Sequence, residues 1–555
     1  MLAHVSDFNA AEQLAERDQW QALCGTAASE LLEAGRIAQI EVASNGVAGL
    51  VGDAFPAFKD DDHVDLRSFV ELGSQTMGTL RQSGLSRAQI VSLLGTELRF
   101  EQSPAAGRYW ILPTPPLEDL YVAVNGEAQL WSAYDGEQDP FQEPIAGVDG
   151  STPSALFDVL QRPAQKRQPS LLSHDDFHQR FGDYRQLPSV CVLQGPPGTG
   201  KTRLMAERVA DWTSQGASVL VTTFTNRAVD ELLLATRATA RARFVRVGRP
   251  HVRKHAPHVA SAKSINAEAG CCVGATLFKV NTSFAGKAAP LFDVVVLDEA
   301  SQVWLGPALV LGRLARHLLV VGDPQQLPPL LHQNPVPEPY RSQQLDRSFV
   351  ELAMARCVGG ESFFLRHSYR LNPPVCQQVS ALFYGGLLES HPSNAARFWP
   401  NPGRAPFDAT PGLELVACAS PAVEAKMVAS LLLDCERIHG AWLTKVEAEL
   451  KHEGPRYLLS CFKRAQIARV RRALADANVA SSLWRIDTIE RNQGRTASVG
   501  VLSLGVAAND PLLSSHFYQQ PGRWTVALSR ARFKTWVLCF GNEALSAGVV
   551  LGSER

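Results

Sequence analysis

The stretch Leu193-Gln-Gly-Pro-Pro-Gly-Thr-Gly-Lys-Thr202 satisfies the pattern G-x-x-x-x-G-K-[ST], and its surroundings give that pattern a structural meaning. Apolar Val190, Cys191, Val192 and Leu193 predict a buried strand before it, and Met205, Val209 and Trp212 recur at helical spacing after it. Strand, loop and helix come in the order that a phosphate-binding loop requires. Gly195, Gly198 and Gly200 let the backbone curl until its amides and the helix N-terminus face a polyphosphate. Pro196, Pro197 and Thr199 complete the loop, Lys201 reaches the terminal phosphates, and Thr202 is placed to ligate magnesium. With glycine at roughly 7% of residues, a chance match arises in on the order of a few per cent of chains this long, before strand and helix are required.

Val294-Val-Val-Leu-Asp-Glu-Ala-Ser-Gln302 is an apolar run ending in two acids, the form of a parallel strand that delivers carboxylates at its C-terminal edge. Asp298 would hold the magnesium hydration shell, and Glu299 would orient or deprotonate the attacking water. A further apolar strand, His317-Leu-Leu-Val-Val-Gly322, runs into Asp323-Pro-Gln-Gln-Leu-Pro-Pro329 and brings a second polar loop to the same edge, with Gln326 placed to sense a γ-phosphate.

With these residues in view, the chain resembles the superfamily 1 helicases, in particular the up-frameshift-type branch of DNA and RNA helicases. The resemblance is ordered along residues 190 to 540, which makes it far more specific than any single motif. Thr223-Phe-Thr-Asn-Arg-Ala-Val-Asp230 looks like the branch's single-strand-binding motif, and Val273-Gly-Ala-Thr276 like the short motif that also lines the nucleic-acid path. Ser368-Tyr-Arg-Leu-Asn-Pro373, Phe383-Tyr-Gly-Gly-Leu-Leu388, Asp487-Thr-Ile-Glu-Arg-Asn-Gln-Gly494 and Val526-Ala-Leu-Ser-Arg-Ala-Arg532 follow in family order.

The resemblance implies an α/β protein with two tandem RecA-like P-loop lobes, ATP between them and single-stranded DNA or RNA across both. Arg370 and Arg530 would act as fingers on the γ-phosphate, each such finger being worth roughly 10³ to 10⁵ in turnover. Arg532 is a weaker candidate for the same task. Tyr369 matches the aromatic that stacks on adenine, and Thr223, Thr225, Asn226 and Thr276 match strand-binding positions. Movement from 5′ to 3′ and preference for ATP with Mg2+ come with the resemblance alone. The chain departs from the branch at Thr496, where a Glu normally contacts the nucleotide sugar, and at Ser368 and Leu371-Asn372, where Gln and a Met-His pair are usual. Upstream of the loop, Gln179 and Gln186 occupy the region of an adenine-reading Gln by position only.

A chain of 555 residues with 45% hydrophobic and 20% charged residues is globular and larger than a single core. Its formal net charge of −1 gives no global pull on nucleic acid, so binding would come from a local basic lining. Two stretches offer one: Arg237, Arg241, Arg243, Arg246, Arg249, Arg253 and Lys254, and Lys463, Arg464, Arg469, Arg471 and Arg472. Solvated helix faces are an equal reading of both. Ten cysteines without a C-x-x-C pair argue against a zinc module or iron–sulfur cluster, and Cys191, Cys461 and Cys539 read as small core residues. The absence of a basic-then-apolar leader or of a membrane-length apolar run predicts a soluble, cytoplasmic protein.

Four segments are expected. Residues 1–150 form a mixed helical and β accessory domain, with helices around Leu14, Trp20, Leu23, Leu31 and Leu32 and from Phe69 to Leu98. Within it, strands are expected at Tyr109–Leu112, Leu120–Val124 and Ala128–Trp131, with Asn125-Gly126 as a hairpin turn. Residues 151–187 read as a connector, 188–345 as lobe one and 346–555 as lobe two. The function expected is an ATP-dependent helicase or translocase. A single-strand clamp or remodeller without unwinding, and a scaffold with a regulatory ATP site, are the alternatives.

Overall fold

The computed structural model describes the chain apart from residues 35, 52–62, 83, 95–96, 116–117, 136–154, 166, 237–241, 249–257, 287–290, 334, 396, 398, 401–411, 453, 508–509 and 540–555. It divides into two compact units, Met1–Asp18 with Pro116–His367, and Gln19–Pro115 with Ser368–Arg555.

The first unit is built on a nine-stranded sheet. Its order is Val259–Ala262, Arg243–Val247, Cys271–Thr276, Val219–Thr223, Phe292–Leu297, Ala315–Gly322, Val190–Gln194, Ser362–Leu365 and Ser170–Leu172, and the paired strands run parallel. Parallel strands need crossovers that cover both faces, which is why the central ones are continuous apolar runs. Val190 and Val192 join the core on one face and Cys191 and Leu193 that on the other, and Val294 to Leu297 alternate in the same way.

The second unit holds a five-stranded parallel sheet in the order Gly412–Ala417, Ala531–Cys539, Ala497–Ser503, Tyr457–Cys461 and Trp484–Thr488. The same unit contains a closed antiparallel barrel. Ala38–Val42 pairs with both Ala48–Val51 and Gly107–Pro113, and Glu97–Phe100, Leu85–Leu94 and His63–Ser68 complete the circuit. Ile40, Val64, Leu66, Ile90, Leu98 and Ile111 fill its interior. The fold is thus α/β with tandem RecA-like P-loop lobes, as expected from the motifs.

Several sequence expectations need correction. Leu120–Val124 and Ala128–Trp131 are not strands joined by a turn but part of one helix, Glu118–Asp135. Leu120, Tyr121, Val124 and Ala128 are buried at helical spacing, and Glu127 between them is fully buried against Arg313. Packing against the lobe overrides the turn preference of Asn125-Gly126. Among the described residues from Phe69 to Leu98 the chain is helical only at Met77–Leu80, since barrel closure takes the rest that is regular into strands. Residues 151–187 are not a bare connector. Ala155–Gln161 buries Leu156, Phe157, Val159 and Leu160, and Ser170–Leu172 is the edge strand of the large sheet. Finally, Ser362–Leu365 pairs with Val190–Gln194, so the first lobe extends beyond residue 345.

All ten cysteines are free thiols, nine of them buried, including Cys191, Cys461 and Cys539. Among the described residues no helix is long and apolar enough to cross a membrane.

Candidate nucleotide and nucleic-acid site

Because the strands of the first unit are parallel, the segments leaving their C-terminal ends emerge along one edge. Register fixes their order there: Thr276 lies beside Thr223, Leu297 beside Thr222 and Val320, and Gly322 beside Gln194. The phosphate loop, the acidic turn, the Gln326 loop and the two threonine motifs are therefore neighbours on one rim.

The loop Gly195 to Gly200 is held from within. The Thr199 hydroxyl donates to the Pro196 carbonyl at 2.8 Å, and the Gly195 amide donates to Gly322 O at 2.9 Å. Gly198 and Gly200 have φ of 75° and 76°, a left-handed backbone that a side chain disfavours. Gly200 caps the helix Lys201–Ser214, so Lys201 and Thr202 occupy its first turn. Lys201 Nζ donates to the Gly195 carbonyl, and a Cβ at Gly195 would collide with the Lys201 stem at 2.2 Å. The hollow admits backbone and ammonium but no further side chain. His174, which sequence reasoning missed, holds the loop from outside through Nε2 and Thr199 O at 2.6 Å, and burial lowers its pKa. Its only signal was the capping box Ser173 to Asp176, which marked a helix start where a connector was expected.

Asp298 is 2% exposed, and its carboxylate accepts the Glu299 amide at 2.9 Å. Burial, reinforced by the Glu299 charge, pushes its pKa well above the usual carboxylate range, while Lys201 pulls the other way. Glu299 sits at φ 54°, a left-handed conformation uncommon for a residue with a side chain. Gly322 backs this turn, for a Cβ there would come within 3.1 Å of Ser301 N and 3.2 Å of Ala300 N. Gln326 donates to Asp323 at 2.8 Å, and Asp323 also receives Gln194 at 3.2 Å. A buried carboxylate beside a hydroxyl-bearing helix start suits a hard divalent cation, whose charge would offset the desolvation of Asp298.

The expected strand-binding residues also meet. Thr223 Oγ1 donates to Thr225 O at 2.7 Å, while Thr225 and Thr276 cap the helices Asn226–Ala235 and Leu277–Phe284. Two helix N-termini thus face the same rim, an arrangement suited to phosphate. Asn226 is held by Arg246, which also pairs with Asp230 at 2.7 Å and is 2% exposed. Arg246 therefore organises this motif from within, not as surface lining. Arg243 is paired with Glu268, and the other members of its basic stretch lie outside the described residues. In the second stretch Lys463 lies 3.6 Å from Asp510 and burial lowers the pKa of Arg464 and Arg471, while Arg469 and Arg472 are exposed.

In the second unit, Arg370 and Arg530 converge on Ser529. Arg370 donates to its carbonyl at 3.2 Å and Arg530 to its hydroxyl at 3.0 Å. Burial, with Arg530 and Arg532 nearby, holds the Arg370 pKa well below its usual value, the environment of a cation that an incoming anion would relieve. Tyr369 stacks on His391 at 4.2 Å and 29°. The unusual Asn372 is fully buried and caps Pro373–Phe383, a structural task legible in Asn-Pro-Pro.

Comparison with known proteins gives the following. AAA_19, an AAA domain, matches residues 183–332, and AAA_12, another AAA domain, matches residues 345–542. The "DNA replication ATP-dependent helicase/nuclease DNA2" of Mus musculus is 28% identical over 436 residues, 69% of this chain and 38% of its own length. That of Gallus gallus is 27% identical over 381 residues, 62% of this chain and 34% of its own length. That of Saccharomyces cerevisiae is 36% identical over 150 residues, 25% of this chain and 10% of its own length. The matches thus span well under half of these relatives. Among solved structures, the Arterivirus nonstructural protein 10 helicase is 12% identical with a TM-score of 0.42, covering 94% of this chain and 81% of that one.

Proposed function

From the premise that the chain belongs to the superfamily 1 helicases, we propose that it is an ATP-driven motor that tracks along single-stranded nucleic acid inside the cell and separates duplexes, moving 5′ to 3′ as in the up-frameshift-type branch. The supporting observation is the single sheet edge that carries both the phosphate loop with its acidic turn and the capping threonines of the strand motifs.

On this reading the loop amides and Lys201 bind the β- and γ-phosphates of ATP. Thr202 and Asp298 would hold Mg2+, which supplies positive charge to the phosphates. Glu299 orients a water and takes its proton as the water oxygen bonds to γ-phosphorus and the bond to the ADP oxygen breaks. Gln326 contacts the γ-phosphate, and the resemblance to the helicase family implies that Arg370 and Arg530 would neutralise the charge that develops there and that Tyr369 would offer its ring to the base. Thr225, Asn226 and Thr276 grip the strand through its backbone, with the buried Thr223 bracing Thr225 from beneath, and a backbone grip is tolerant of base and sugar, so either DNA or RNA fits.

The test is Glu299→Gln. It should bind ATP as the wild type does and lose hydrolysis by at least ~10²-fold, the lower end of what general bases contribute. Full turnover in that variant contradicts the assignment. Strand-stimulated hydrolysis without duplex separation would instead select a single-strand clamp.

A further inference from the structure

The part of the helix Val5–Gly25 that belongs to the first unit, Val5–Asp18, is fastened to the segments that follow both hydrolytic loops. Asn9 is fully buried, and its Oδ1 accepts Trp304 Nε1 at 3.1 Å, five residues beyond Glu299. A Cβ at Gly306 would lie 2.6 Å from the Asn9 amide, so the helix sits as close as a glycine permits. One turn on, the Glu12 carboxylate is 1% exposed. It accepts the backbone N–H of His332, the backbone N–H of Gln333 at 3.1 Å and the Gln333 side-chain amide at 2.8 Å. A buried carboxylate with three donors is costly to displace, since any donor left behind loses its partner.

His332 is six residues past Gln326. Between them Leu327 is buried and Leu330 exposed, and it is Pro328 and Pro329, each with φ fixed, that limit the slack. At the other end Gln326 is tied to Asp323. We infer that Glu12 is a positioning residue of the ATPase site: by holding His332 and Gln333 it sets the loop that presents Gln326. This rests on the hydrolytic role proposed for that loop. Glu12 acts through Gln326, which engages the γ-phosphate, so its loss weakens the transition state and leaves nucleotide binding in place.

The experiment is steady-state ATP hydrolysis by the full chain carrying Glu12→Ala, Glu12→Gln, Pro329→Gly, or Glu12→Gln with Pro329→Gly. Glu12→Ala should lower kcat by about tenfold or more, within what a misplaced catalytic group costs, with KM for ATP changed by less than about twofold. Glu12→Gln keeps the shape but turns an acceptor into a donor facing N–H groups, and should fall between Ala and wild type. Pro329→Gly slackens the tether without touching Glu12 and should lower kcat alone, the double variant being no worse than the poorer single one. Unchanged kcat in the Glu12 variants, a loss carried by KM, or independent effects of the two sites would overturn the inference. If Glu12→Ala fails to fold, the Gln and Gly variants decide it. An inactive wild type would strike the hydrolytic reading itself, whereas an active wild type with unaffected variants strikes only the role of Glu12.

Discussion

Replacing Glu424 by Gln should change how the second lobe responds to pH. Glu424 lies in the first turn of the helix Pro421–Glu449, is fully buried, and accepts the Ser503 hydroxyl and the Gly505 amide, the latter at 3.1 Å. Burial raises its pKa from 4.5 to about 7, although Ser503, the amides of Gly505 and Leu504, and Arg469 all favour the charged form. The folded state therefore holds a proton that the unfolded chain releases at lower pH. The resulting stability is fully present below the unfolded pKa and is lost as pH rises through about 7. The rise from 4.5 to about 7, at about 1.36 kcal/mol per pH unit, bounds the loss near 3 kcal/mol. Gln cannot ionise, so it lacks this loss. Hydrogen exchange in the strands Tyr457–Cys461 and Ala497–Ser503, followed against urea, would report lobe stability for both proteins. Between about pH 5 and about pH 8 the balance should move toward the Gln variant by about 2 to 3 kcal/mol. A balance that stays constant across that range refutes the buried-proton reasoning.

Arg370→Ala should reduce turnover by roughly 10³-fold or more with little change in ATP affinity, as measured by hydrolysis and by equilibrium nucleotide binding. Gly322→Ala would press a methyl on the backbone of Ala300 and Ser301 and shift the strained Glu299 turn. It should cost roughly 1 to 3 kcal/mol in thermal or denaturant melts and lower kcat as well. Lys201→Ala should abolish hydrolysis while the fold, monitored by circular dichroism, persists.

What could be read from sequence followed the range of the interactions involved. The strands Val190–Gln194, Phe292–Leu297 and Ala315–Gly322 are buried on both faces and announce themselves as apolar runs with chemistry at their ends. The residues picked from those ends lie along one rim, because parallel register leaves no other edge for them. Glu118–Asp135 was misread because what fixes it is remote: Glu127 pairs with Arg313, 186 residues away. Ser362–Leu365 likewise returns to a strand laid down far earlier, and nothing in its own four residues says which sheet it joins. Arg246 looked like cationic surface because sequence shows its charge but not Asp230 and Asn226 around it.

The central claim is tested most directly by steady-state ATP hydrolysis at matched low salt without nucleic acid, with single-stranded DNA and with single-stranded RNA, beside Lys201→Ala. The account predicts hydrolysis stimulated by at least one polymer and absent from the variant. Hydrolysis indifferent to both polymers, or surviving the loss of Lys201, would contradict it.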